Sequence, residues 1–93
     1  MAKYKLTVTS SDDMNAINYV VGVGQPVQVR GNGSPYTAEF NAAAPYSLNV
    51  SVNGVDTVTW SFVVLNETTN FTVTSPTMTI TQGNDGDTII VSI

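Results

Sequence analysis

Residues 46–65, YSLNVSVNGVDTVTWSFVVL, constrain the fold more than any other part of the chain. Tyr46, Leu48, Val50 and Val52 alternate with Ser47, Asn49, Ser51 and Asn53. Successive side chains of a strand point to opposite faces, so this half reads as a half-buried strand. Val58, Trp60, Phe62 and Val64 alternate with Thr57, Thr59 and Ser61 and read the same way. Asn53-Gly54 stands between the halves and is a hairpin signal.

Parity tests the turn. A two-residue Asn-Gly turn pairs Val52 with Val55 and throws the two apolar stripes onto opposite faces. A three-residue turn pairs Ser51 with Val55, sets Leu48 opposite Val58 and Tyr46 opposite Trp60, and makes the stripes coincide. The expectation is a type I turn with a Gly bulge, Gly54 taking positive φ. A longer loop of the same parity, or two strands that join different sheets, satisfies the pattern as well.

The rest of the chain repeats this grammar. Tyr4, Leu6 and Val8 alternate with Lys3, Lys5, Thr7 and Thr9 in a first strand. Residues 10–15 form a turn or a capped helix start, and a turn or two of helix over 12–21 competes with extended chain over 19–23. Val27 and Val29 mark another strand, residues 31–35 a loop, and Tyr36, Ala38 and Phe40 a further apolar face. Residues 41–45 connect, because Pro45 discourages a helix through the Ala run. Phe71 and Val73 mark a strand ended by Ser75-Pro76. Met78 and Ile80 are expected to pair with Ile89 and Val91 across a loop at 82–87. Such spacing, with no convincing helix, indicates one all-β domain over residues 1–93, a small antiparallel β-sandwich or barrel.

Composition narrows the function classes. The chain has 93 residues, no Cys and no His. A domain of this length buries roughly 60–65% of its unfolded surface, so its core is modest. Without Cys there is no disulfide, which favours a reducing compartment or a protein stabilised by assembly. The start MAKYKLTVT lacks the apolar run of a signal peptide and reads as a natural beginning, and no stretch reaches transmembrane length. Net charge is −4, with Lys3, Lys5 and Arg30 the only cations, so neither nucleic acid nor membrane is an expected partner. Charged residues make up 11% of the chain, and strand faces of Ser, Thr and Asn suit a surface that packs against something.

Residues for chemistry are scarce. Without His there is no Ser-His-Asp triad or His-ligated zinc, and without Cys no thiol nucleophile. Gly22-Val23-Gly24 and Gly31-Asn32-Gly33 lack the strand-to-helix setting of a phosphate cradle. The protein is therefore expected not to be an enzyme and to carry no cofactor. Asn84, Asp85 and Asp87 offer calcium three oxygen donors, but no downstream Glu follows, and a solvated loop with Asp85-Gly86 making the turn is preferred to a metal site. Trp60 with Tyr46, Tyr36 or Tyr19 offers a flat platform for a sugar, whereas its register with Val58 and Phe62 places it in the core, the preferred reading. Trp60, Tyr46, Asp85 and Asp87 are the candidate ligand or partner contacts. Asn32, Asn49, Asn66 and Asn70 each begin an Asn-X-Ser/Thr sequon, as expected by chance in so hydroxyl-rich a chain.

Residues 43–64, AAPYSLNVSVNGVDTVTWSFVV, resemble consecutive strands of prealbumin-like domains, and the count of about seven strands resembles an immunoglobulin-like sandwich. Taken whole, the chain is similar in style to bacteriophage head-decoration, or cement, proteins with sandwich folds. That resemblance implies a non-enzymatic structural protein that binds and reinforces a capsid lattice. It would be made in the host cytoplasm, reside in the virion and act as a homo-oligomer with capsid or other virion subunits as partners. Edges at residues 4–9 or 88–93 would pair across subunits. The alternative is a stand-alone carbohydrate- or cell-surface-binding module using an exposed Trp60 or the loops at one end. A domain cut from a larger adhesin is a third reading.

Overall fold

β-branched and hydroxylated residues at period two leave no face on which a helix could form. The computed structural model, which describes residues 1–93, accordingly holds nine strands and no helix. They are β1 (Ala2–Ser10), β2 (Ala16–Val21), β3 (Val27–Gln28), β4 (Tyr36–Ala42), β5 (Tyr46–Asn53), β6 (Thr59–Asn66), β7 (Thr72–Thr74), β8 (Met78–Thr79) and β9 (Asn84–Val91). One antiparallel sheet runs β4-β1-β6-β7, with β8 also on β6; the other runs β3-β2-β5-β9. The two pack face to face as a small all-β sandwich.

The core is the sum of the inward stripes. Tyr4, Leu6 and Val8 of β1, Leu48, Val50 and Val52 of β5, and Trp60, Phe62 and Val64 of β6 are all buried. Each such large side chain contributes about 1.5–3 kcal/mol relative to exposure. Those contributions oppose the ordering entropy of a chain with no crosslink.

The central pair is not a hairpin. β5 bonds to β2 and β9, while β6 bonds to β1, β7 and β8, so the connection at 54–58 crosses from one sheet to the other. The apolar stripes coincide because they face each other across the core. Gly54 is not the residue with positive φ; Thr57 is, at 77°. Gly54 sits where space is tight: a Cβ there would lie 2.9 Å from Ile80 Cδ1 and 3.0 Å from Met14 Sδ, so the ends of those two flexible side chains would have to shift.

The last strands are also paired otherwise than expected. Met78 and Thr79 lie on β6, and Ile89 and Val91 lie on β5 opposite Leu48 and Tyr46. The turn before β9 is made by Gln82 (φ 57°) and Gly83 (φ 82°), a left-handed pair closed by the Thr81–Asn84 bridge. Asp56 holds it from outside, its Oδ1 accepting the Gly83 N–H at 2.7 Å. Asp85-Gly86 is therefore strand, not turn. The helix alternative over 12–21 gives way to extended chain from Ala16.

A sheet edge is where another chain could add a strand, and the edges of this sandwich are unequal. β1 is interior, flanked by β4 and β6, so residues 4–9 offer no edge. β3 has two residues. β7 and β8 line one side of β6 but are interrupted. Between the Val63–Thr74 and Trp60–Met78 pairs, three residues stand opposite two, which is a bulge. Ser75 heals it: its N–H donates to the Phe62 carbonyl, and its Oγ accepts the Phe62 N–H, both at 2.8 Å. The long edges are β4 and β9.

Candidate functional site

Trp60 is 1% exposed and stacks on Phe62, ring centroids 6.0 Å apart at 23°. It forms no surface platform, and Tyr46 is not its neighbour. An indole buried this deeply needs a partner for its N–H. The partner is Asp85 on the opposite sheet, whose Oδ2 accepts from Trp60 Nε1 at 3.0 Å. The other oxygen, Oδ1, accepts the Gly86 N–H at 2.9 Å. One carboxylate thus ties the two sheets together and occupies a backbone donor of β9.

Asp85 and Asp87 stand opposite Val52 and Val50 of β5, both core residues, so the two carboxylates lie on the inward face of an edge strand. Asn84 falls on the other face. The three oxygen donors weighed for calcium therefore do not converge as a loop would make them. No group of three or more Asp and Glu side chains comes together elsewhere.

Tyr46 belongs to an aromatic cluster at the end where the chain terminates. Its ring meets Tyr4 edge-on at 5.1 Å and Phe40 at 5.9 Å, and Tyr19 joins through Phe40 at 5.3 Å. Tyr4 Oη donates to the Ile93 carbonyl at 2.8 Å. The Tyr46 hydroxyl is buried and has no hydrogen-bond partner. Burial, with the neighbouring Tyr4, pushes its pKa well above the ordinary phenol range. Burial also raises Tyr19. Both phenols are neutral at physiological pH.

A groove of about 290 Å³ opens at the opposite end, between the start of β2, the end of β3 and the start of β4. Arg30, Asn15, Gln28 and Asn32 give it polar walls over Ile17 and Tyr36. Tyr36 Oη accepts the Met14 N–H at 2.9 Å and so pins the β1–β2 connection to β4. Sequence reasoning gives 31–35 only as a loop and misses this groove. The one available signal is Arg30, the only cation outside the first strand.

The outer faces of the two sheets differ in charge. That of β4-β1-β6-β7 carries Lys3, Lys5 and Glu39, with a Lys3–Glu39 ion pair at 3.6 Å between exposed groups. A hydrogen bond with Glu67, and then Lys3, hold Glu39 below the usual carboxylate range; the same contact raises Glu67. No strand residue on the outer face of β3-β2-β5-β9 is ionisable; the exposed Arg30 lies just past the end of β3. The cross-strand rows of that face read Asn18–Ser51–Gly86, Val20–Asn49–Thr88 and Ser47–Ile90. Asn49 Nδ2 donates to Thr88 Oγ1 within it at 2.8 Å. Asn66, one of the sequon residues, is 4% exposed, and its Oδ1 accepts from the Thr68 and Thr69 N–H groups.

Comparison with protein-family models, with curated proteins and with solved structures gives no match.

Proposed function

We propose that this chain is a non-enzymatic structural protein of a virion, a decoration or cement protein that binds and reinforces a capsid lattice. The observation that carries the reading is the disposition of its surface. The only Trp is core, the strands β3, β2, β5 and β9 present an uncharged outer face of amides and hydroxyls with Val20 and Ile90 among them, and β4 leaves a long edge free. Desolvating an uncharged polar face costs far less than desolvating Lys and Glu, and amides and hydroxyls both donate and accept. Such a face suits broad contact with another protein, and protein subunits are its partners in this reading.

The test is co-sedimentation with chain-free capsids of the virus that encodes the protein. Saturable binding at a fixed ratio to capsid subunits is expected, and replacing Ser51 and Asn49 by Lys should abolish it. Failure to pellet with any maturation state of the capsid contradicts the proposal.

A second reading is favoured by one observation, the polar groove beside Arg30. Loops at one end of a sandwich are where a carbohydrate-binding module would hold a sugar, with Asn and Gln amides on the hydroxyls. A glycan array separates the two. Selective binding lost in Arg30→Ala supports the module, whereas no binding leaves the structural role standing alone.

A further inference from the structure

Three of the four sheet edges carry features that oppose pairing with another chain along part or all of their length. β3 is two residues long, and the β7–β8 edge is broken by a bulge containing Pro76. β9 turns two carboxylates inward and spends one of them on its own Gly86 N–H. β4 alone is long, unbroken and without an inward charge: Tyr36, Ala38, Phe40 and Ala42 face in, and Thr37, Glu39 and Asn41 face out.

The ladder fixes which backbone groups of β4 are free. Glu67 N–H donates to the Lys3 carbonyl and Ser11 N–H to the Thr59 carbonyl, so odd residues of β1 bond toward β6. Hydrogen-bonded and non-bonded pairs alternate in an antiparallel ladder, so even residues of β1 bond toward β4. They engage Tyr36, Ala38, Phe40 and Ala42. The N–H and C=O groups of Thr37, Glu39 and Asn41 therefore point away from the sheet.

We propose that β4 pairs antiparallel with β4 of a second copy of this chain, Glu39 of one copy opposite Asn41 of the other, to give a two-fold dimer with one continuous sheet. Charge chooses the register. Pairing centred on Glu39 would set Glu39 against Glu39, and like charges directly opposite repel. A shift of two residues puts Glu39 opposite Asn41, each pair exchanging both backbone bonds. The row across the seam then reads Lys5, Glu39, Asn41, Lys3, because Lys5 neighbours Glu39 and Lys3 neighbours Asn41 within each copy. Every carboxylate in that row lies between cations. The same register places Phe40 opposite Phe40 as a non-bonded pair on the inner face. That is the close spacing in which aromatics pack, and it covers a side chain left half-buried here. The seam is one strand long, smaller than the roughly 1,200–2,000 Å² of a stable interface, so the dimer is concentration-dependent. It does not depend on capsid binding, and its test contains no capsid.

Sedimentation equilibrium of the free chain should show a monomer–dimer equilibrium within a range of up to about 1 mM, as a seam of this size allows. Asn41→Pro removes an outward N–H while leaving the β1–β4 bonds intact, a substitution edge strands tolerate. It should weaken the dimer by about tenfold or more, since two symmetry-related bonds are lost. A strict monomer throughout that range, or a dimer that Asn41→Pro leaves unchanged, overturns the proposal. Cysteines at exposed positions then read the register. Glu39 is kept, because its charge sets the register: Thr37→Cys chains mixed with Ala43→Cys chains should form a mixed disulfide on oxidation, since bonded pairs stand at a distance a disulfide spans. Rapid crosslinking of Thr37→Cys to Asn41→Cys instead, the pair that the centred register brings together, would overturn the shifted register.

Discussion

Strands β4 and β9 are of similar length, seven and eight residues, and each has one side with no neighbouring strand. Their free backbone groups are treated differently. Gly22 N–H donates to the Ser47 carbonyl, so odd residues of β5 bond toward β2 and even ones toward β9. The free groups of β9 therefore belong to Asn84, Gly86, Thr88 and Ile90. Two of these N–H groups are already engaged, Asn84 by Thr81 and Gly86 by Asp85. On β4 the N–H groups of Thr37, Glu39 and Asn41 have no such occupant. A strand docking on β9 would also meet Asp85 and Asp87 on its inner face, whereas one docking on β4 would meet Ala38 and Phe40. The difference lies in the first half of β9, where two carboxylates occupy the inner face and one of them also has a structural task.

That task makes the first prediction the largest. Trp60→Ala removes a buried ring and the partner of Asp85, and should lower unfolding free energy by about 3–5 kcal/mol. Phe40→Ala, on the half-buried side chain beside the open edge, should cost about half as much. Equal costs in chemical denaturation would contradict the difference between the tied Trp60 site and the half-buried Phe40 site.

Asp85→Ala acts on the closed edge directly. It strands the Trp60 N–H and releases that of Gly86, for an expected loss of about 1–3 kcal/mol. With Asp87→Val added, β9 becomes a second open edge, and light scattering should reveal species larger than a dimer. A double variant that behaves as wild type would show that the carboxylates do not close the edge.

Tyr46→Phe sharpens the comparison from the aromatic side. It deletes a buried hydroxyl without a partner, so stability should stay the same or rise by up to about 1 kcal/mol. A loss greater than that would mean the hydroxyl has a partner in solution.

The smallest effect belongs to Glu67→Gln. The pKa of Glu67 is raised in the folded state by its contact with Glu39, so protonation favours folding and the charged form at pH 7 is slightly unfavourable. Glu67→Gln should therefore be marginally more stable than wild type at pH 7, and the difference should close as pH falls below the carboxylate range. Urea titrations at both ends of that range check it.

The strands are legible because burial on one face writes period two into the residues, as in Tyr4-Leu6-Val8 and Trp60-Phe62-Val64. Their partners are not. Two stripes that must meet can do so side by side or across a core, and residues 46–65 satisfy both equally. Parity rightly excludes the two-residue turn, yet the hairpin it favours is replaced by a crossing between sheets. Asn84-Asp85-Gly86-Asp87 reads as a loop because turn residues fill it. Its alternation carries carboxylates where apolar groups are expected, and the chain turns three residues earlier than Asp85-Gly86, at Gln82-Gly83. The candidate contact residues fare unevenly. Trp60 and Asp85 do meet, in the interior, while Tyr46 lies in a separate cluster, because only the order of strands across both sheets fixes those distances.

The central claim is that β4 is the edge left open for a partner. Amide hydrogen exchange, followed residue by residue at low and high protein concentration, tests it most directly. The account predicts that Glu39 and Asn41 become protected as concentration rises, while Thr88 and Ile90 on β9 exchange at an unchanged rate. Protection that grows on β9 instead, or equally on both strands, would contradict it.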